Sequence, residues 1–247
     1  MTVHFVGAGP GAADLITLRA AALLGAAEVV LFPGTYLDAE VLGHCRPDAR
    51  LVDTQALDLD QILAELVGAH EAGRDVVRLV SGDPSLYSAV AEQTRRLDAA
   101  GVPWDVTPGV PAYAAAAAVV GRELTVPLVA QSVVLTRVQA RSTAMPPTES
   151  LASFAATRAT LALHLAITRV RETMAELAPA YGPDCPVVVV FRASQPDQLV
   201  LTGTVDGIAD QVEAAGLRQA AVILVGRVLD PTGGGESFLY DVARERG

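Results

Sequence analysis

The 247-residue chain has no lysine, and all 18 of its cations are arginine. Schiff-base chemistry, a pyridoxal-phosphate attachment and a phosphate-binding P-loop each need a lysine amine, so all three are excluded. Positive charge is scarce: 28 acids against 18 arginines leave a formal net charge of −10. That balance argues against a general nucleic-acid binder, whose affinity rests on clustered positive charge. It argues equally against a polybasic membrane anchor. Aromatic residues make up only 4% of the chain, so alanine and branched aliphatics must build a closely spaced core. Cys45 and Cys185 are isolated thiols, as expected in a reducing cytoplasm. Neither they nor His4, His44, His70 and His164 have metal-ligand spacing. Long apolar runs are absent: residues 112–120 form the longest candidate, far short of the ~20 residues that span a bilayer. The first residues, Met1-Thr2-Val3-His4-Phe5, lack the basic flank of a signal peptide.

What is present is a strand–helix alternation. Residues 3–6, 29–32, 76–80 and 104–106 read as strands. Between them, residues 14–24 and 59–69 carry apolar positions at helical spacing, and a helix is expected over about 85–100. This alternation predicts an α/β fold whose N-terminal half is a mainly parallel sheet with helices on both faces. The second half has another rhythm. Strands are expected at 133–136, 161–165, 187–191, 198–201 and 221–225, with helices near Leu151 and over 168–178 and 208–215. The two strands separated by a turn at Pro196 predict a hairpin, hence a mixed sheet. The boundary is placed near 118–124, giving an N-terminal α/β domain over 1–120 and a C-terminal one over 121–247. The tail from Thr232 reads as a flexible end.

Three loops at predicted strand ends concentrate the chemistry. Gly7-Ala8-Gly9-Pro10-Gly11-Ala12 loosely fits the dinucleotide fingerprint. An acid at the end of the second strand is missing from Val30-Leu31-Phe32-Pro33, and Pro10 has no N–H to offer a pyrophosphate. An NAD-dependent oxidoreductase therefore rests on that loop alone. The second loop is Ser81-Gly82-Asp83-Pro84-Ser85-Leu86-Tyr87, and the third is Thr107-Pro108-Gly109-Val110-Pro111-Ala112. In open α/β sheets ligands bind at the carboxyl ends of the strands, so three loops there point to one site. Asp83 reads either as a helix cap or as a ligand contact.

Gly7-Ala8-Gly9-Pro10-Gly11, Gly82-Asp83-Pro84 and Pro108-Gly109-Val110, in this order, resemble the tetrapyrrole methylase family over nearly the whole chain. The segments Val77–Tyr87, Glu92-Gln93, Arg122–Pro127, Gln131–Arg137 and Met145-Pro146 narrow the resemblance to members that act on corrin precursors. It implies two α/β domains, S-adenosyl-L-methionine (SAM) in a cleft between them, an anionic tetrapyrrole substrate and a homodimer. It also implies cofactor contacts at Pro10, Gly82, Asp83, Leu86, Tyr87, Pro111, Ala112, Leu165, Ala193 and Ala221. No catalytic base is nominated. Other family members act at different corrinoid positions or on uroporphyrinogen III, and these stand as alternatives. A departure occurs at Pro33-Gly34-Thr35, where the family has Ala-Gly-Ser, and another at Ala140-Arg141, where Gly-Arg is expected.

A polycarboxylate substrate needs local positive charge in a net acidic protein. Residues 122–171 hold six arginines and two acids, a net +4, which leaves −14 for the rest. Arg122, Arg137 and Arg141 are the expected substrate contacts, since arginine pairs well with carboxylates.

Overall fold

The computed structural model describes residues 1–139, 143–230, 232, 234, 235 and 237. The chain divides into two compact units: Met1–Ala115 with Ser194–Pro196, and Ala116–Ala193 with Asp197–Gly247. Five parallel strands make the first sheet: β1 (Val3–Gly7), β2 (Val29–Phe32), β3 (Arg50–Asp53), β4 (Val76–Val80) and β5 (Trp104–Thr107). Their order is β3-β2-β4-β1-β5. Its four helices are α1 (Leu18–Ala26), α2 (Leu59–Glu71), α3 (Val90–Ala99) and α4 (Ala112–Val119), and the division between the units falls within α4.

Alternation along the strands sends side chains to two cores. Val3, Phe5, Val29, Leu31 and Val76 pack with Ile62, Leu63 and Leu66 of α2 and Leu97 of α3. On the opposite face Val6, Val30, Val77 and Leu79 meet Ala20 and Leu24 of α1. All five residues of β4 are buried, as a strand covered on both faces requires. The start of α2 is fixed by a capping box, in which Asp58 accepts from the Gln61 amide and the Gln61 side chain accepts from the Asp58 amide.

Helices α1 and α3 begin at least a full turn later than the sequence predicts. Residues 13–15 form a 3-10 turn, and α1 starts only at Leu18, where the Thr17 side chain caps the Ala20 amide. Helix α3 starts at Val90 rather than near Ser85, because Tyr87 (φ 53°) and Ala89 (φ 55°) are left-handed. Strand β3 was not foreseen. It is a largely exposed edge strand, and its ladder runs to β2.

The second sheet has the order β6-β7-β10-β8-β9. Its strands are β6 (Val133–Arg137), β7 (Thr160–His164), β8 (Pro186–Phe191), β9 (Leu199–Thr204) and β10 (Ala221–Val225). Only β6 and β7 are parallel; β7–β10, β10–β8 and the expected hairpin β8–β9 are antiparallel, so the sheet is mixed. Among the described residues this half carries the helices α5 (Leu151–Ala155), α6 (Val170–Tyr181) and α7 (Ile208–Ala214). Leu161, Leu163, Val187, Val189, Ile223 and Val225 present one face to Val170, Met174 and Leu177 of α6 and to Ile208 and Val212 of α7. Cys185 is buried in that core. No helix among the described residues is long and apolar enough to cross a membrane. Most of the tail after Thr232 lies outside the described residues.

Candidate functional site

The three glycine loops leave the carboxyl ends of adjacent strands β4, β1 and β5 and meet backbone to backbone. The Ala8 amide donates to Val80 O at 2.8 Å. Gly9 and Gly82 exchange two hydrogen bonds, of 3.1 and 2.8 Å, and both are left-handed (φ 76° and 67°). No side chain fits the junction. A Cβ on Gly7 would lie 2.5 Å from Gly109 N, and one on Gly109 would lie 2.2 Å from Gly82 O. These glycines therefore serve close approach of main chain to main chain.

Asp83 ties the second loop to the third. One carboxylate oxygen accepts from the Ser85 amide at 2.8 Å and from the Ser85 hydroxyl, and the other from the Gly109 amide at 2.9 Å. Partial burial pushes this carboxyl up, but the hydrogen bonds from Ser85 and Gly109 outweigh it and hold the group below the usual carboxylate range. Asp83 thus acts on the loop itself; it does not cap α3, which starts at Val90. Beyond it, Leu86 is half-buried and Tyr87 is exposed. Pro111 and Ala112 lie beside Gly82 at van der Waals distance from a notional Cβ there.

Two residues unmarked by the sequence reading join this unit. The Ser194 hydroxyl accepts from the Ala12 amide at 3.1 Å, and Gln195 Nε2 donates to Pro10 O at 3.3 Å. Gln195 lies so close over Gly11 that a Cβ there would come within 2.2 Å of its side chain. Pro10 is accordingly buried. This geometry does not suit a dinucleotide. The pyrophosphate of that motif sits on a helix N-terminus opened directly by the glycine loop. Here a 3-10 turn intervenes, and α1 opens at Leu18 under its own cap.

The remaining expected contacts gather at one end of the second sheet. Leu165 follows β7, Ala193 follows β8 and Ala221 opens the antiparallel β10; the register sets Phe191 beside Ala221. Leu165 (φ 54°), Arg192 (φ 45°) and Ala220 (φ 53°) are left-handed at this end. Left-handed non-glycine residues are uncommon and cluster at functional sites. Leu165 is 54% exposed despite its apolar side chain.

Arg137 ends β6 beside His164. Its guanidinium donates to Thr143 O at 2.7 Å and reaches Ala144 O at 3.4 Å, so it also organises the segment after the strand. Burial holds the His164 imidazole at about 4, leaving it neutral at pH 7; Arg137 is the cation of this pair. Arg122 is half-buried and bears electrostatically on Asp230, while Arg141 lies outside the described residues. The +4 segment is not a free patch throughout: Arg171 pairs with Asp210 and Glu213 at 2.6 Å each.

Comparison with known proteins places the chain. The family described as Tetrapyrrole (Corrin/Porphyrin) Methylases matches residues 2–209. A Rhodococcus erythropolis protein named precorrin-4 C(11)-methyltransferase is 55% identical over 246 residues, covering 100% of this chain and 99% of its own. The X-ray structure of a cobalt precorrin-4 methyltransferase superposes with a TM-score of 0.90 at 36% identity, covering 93% of this chain and 96% of that one. A Thermus thermophilus uroporphyrin-III C-methyltransferase, solved in complex with S-adenyl homocysteine, gives a TM-score of 0.78 at 29% identity, covering 93% and 94%.

Proposed function

The chain belongs to the tetrapyrrole methylase family and is a SAM-dependent methyltransferase, and from that premise we propose that it methylates C11 of precorrin-4 to give precorrin-5 in cobalamin biosynthesis. The observation that carries the site is the three-loop junction, where Gly7, Gly82 and Gly109 meet at the end of the parallel sheet. Relatives named for precorrin-4 reach 55% identity, whereas one named for cobalt-precorrin-4 reaches 37%. This difference supports the metal-free substrate over the cobalt-bearing one. The reading includes a homodimer in the cytoplasm, acting on a tetrapyrrole and not on nucleic acid.

The residues present suit the cofactor. SAM carries its own ammonium, carboxylate and sulfonium, so its site needs backbone groups, small residues and apolar surface more than charged side chains. The loops offer this set. Asp83 is engaged within the loop, Leu86 and Tyr87 add apolar surface, and Pro10, Gly82, Pro111 and Ala112 adjoin the junction. Leu165, Ala193 and Ala221 stay cofactor contacts on the family resemblance alone. When bound, SAM supplies a methyl group activated by its sulfonium. The protein's part is to hold and orient donor and acceptor, which can supply roughly 7–11 kcal/mol of a barrier. Arg137 and Arg122 would hold acetate or propionate carboxylates of the substrate, with Arg141.

S-adenosylhomocysteine should bind at micromolar concentration and NADH should not; the reverse preference would overturn the methyltransferase reading. Arg137→Ala should raise the KM for the tetrapyrrole by about tenfold, the worth of one charge-assisted contact, and leave S-adenosylhomocysteine affinity within twofold. Equal losses of both would remove Arg137 from the substrate side.

A further inference from the structure

Strand alternation puts position 78 on the face of the first sheet that packs under α2 and α3. Its register neighbours are Phe5 on β1 and Leu31 on β2, both fully buried. The chain places an arginine there, only 7% exposed. Among the described residues Arg78 forms no ion pair with a carboxylate. Taking a charge out of water costs several kcal/mol, which its hydrogen bonds must offset. Its Nη1 donates to Leu79 O at 2.9 Å, and its Nε points to Gln93 Oε1 at 3.4 Å. Gln93, on α3, is 2% exposed.

This contact fixes which way the Gln93 amide faces. With Oε1 turned to the guanidinium, Nε2 is left to donate to Ala89 O at 3.0 Å. The Gln93 main-chain amide reaches the same oxygen at 3.5 Å. Ala89 is the left-handed residue that opens α3, two positions after left-handed Tyr87. Such conformations cost of order 1–3 kcal/mol each and persist only where the surroundings over-determine them. Helical continuation from Ser85 is the local alternative, and it is the one the sequence pattern favours.

We propose that Arg78 and Gln93 are positioning residues: through the Ala89 carbonyl they hold the Tyr87–Ala89 turn in the shape that receives SAM. The inference rests on the assignment of Leu86 and Tyr87 to that cofactor. It assigns the buried guanidinium a task that packing alone does not, since an apolar residue would fill the same space without the desolvation cost.

Two variants separate positioning from stability. Gln93→Glu sets a carboxylate against the buried guanidinium, which keeps the fold, but turns an acceptor toward the Ala89 carbonyl in place of a donor. The double change Arg78→Met with Gln93→Leu replaces the buried polar pair by apolar groups of similar size, an exchange that is often neutral or stabilising. Both proteins should keep the wild-type Tm within a few degrees and yet bind S-adenosylhomocysteine about tenfold more weakly. Amide hydrogen exchange over residues 84–90 should quicken in the absence of ligand. Affinity within twofold of wild type in both variants, or losses that merely track Tm, would overturn the proposal. Should wild type itself not bind S-adenosylhomocysteine, the methyltransferase reading fails. The exchange rates then decide alone: faster exchange over 84–90 upholds the relay, and unchanged exchange refutes it.

Discussion

Replacing Gly109 by alanine should abolish measurable S-adenosylhomocysteine binding, a loss of at least 100-fold, and lower stability by about 3 kcal/mol. The added Cβ would lie 2.2 Å from Gly82 O and 2.9 Å from the backbone of Gly7. Each obstacle is main chain, so no side chain can swing aside, and one of the three loops must move. The same shift would break the bond from the Gly109 amide to Asp83. Gly73→Ala provides the contrast. Gly73 is left-handed (φ 69°), but a Cβ there meets nothing within 4 Å. That variant should lose about 1 kcal/mol from backbone conformation and keep its affinity. Calorimetric titration and denaturant unfolding of the two variants measure both quantities. Normal binding by Gly109→Ala would show that the junction is not part of the cofactor site.

The second large effect is expected at Asp83. Asp83→Ala leaves the amides of Gly109 and Ser85 without their acceptor, and hydrogen bonds to a charged group are worth about 1.5–3 kcal/mol each. Cofactor affinity should fall by about 100-fold, with a smaller loss in Tm because the loop is partly open to water. The pH dependence follows from the lowered pKa. The group's folded pKa lies below its ordinary value of 3.8, so its contribution is complete above that value and is lost as pH falls through the folded pKa. Wild-type affinity should therefore show no Asp83 titration between pH 5 and 8. Acid loosening should appear only below about pH 4. Asp83→Asn should remove that acid limb, since an amide cannot take up the proton. A step in wild-type affinity near pH 6 that disappears in Asp83→Asn would contradict the hydrogen-bonding scheme.

The features legible in the sequence were those set by local pattern. Strands β2, β4 and β10 fall on the expected residues, because short apolar runs bounded by turn residues leave little choice. The β8–β9 hairpin was legible from two β-rich runs around Pro196. Features set by distant partners were not. Strand β3 has exposed Arg50, Leu51 and Asp53 and no apolar run; it is a strand because β2 offers it a ladder. Ser85-Leu86-Tyr87-Ser88-Ala89 reads as helix, yet Asp83 draws it toward a loop some twenty-six residues on, and Gln93 grips its last carbonyl.

At the site, the glycine motifs were visible because only glycine permits such contacts. The residues that brace them, Ser194 and Gln195, act across more than 180 positions, and no local signal marks them. The signal that could have been followed was Arg78, a charge in a strand otherwise made of valine and leucine. Missing lysine gains a physical consequence in this setting. The cations available for substrate carboxylates are all arginines, and some of those in the positive segment are already committed, Arg171 to α7 and Arg169 to Gln139 O at 2.7 Å.

The reaction assigned to the protein is a methyl transfer to one carbon of one tetrapyrrole. Its most direct test incubates the protein with precorrin-4 and SAM carrying a carbon-13 methyl, then locates the label by mass spectrometry and NMR. One added methyl at C11 of the metal-free substrate is the predicted result. Label at another ring carbon, or on uroporphyrinogen III in preference to precorrin-4, would contradict the assignment, and absence of label from every tetrapyrrole offered would remove it.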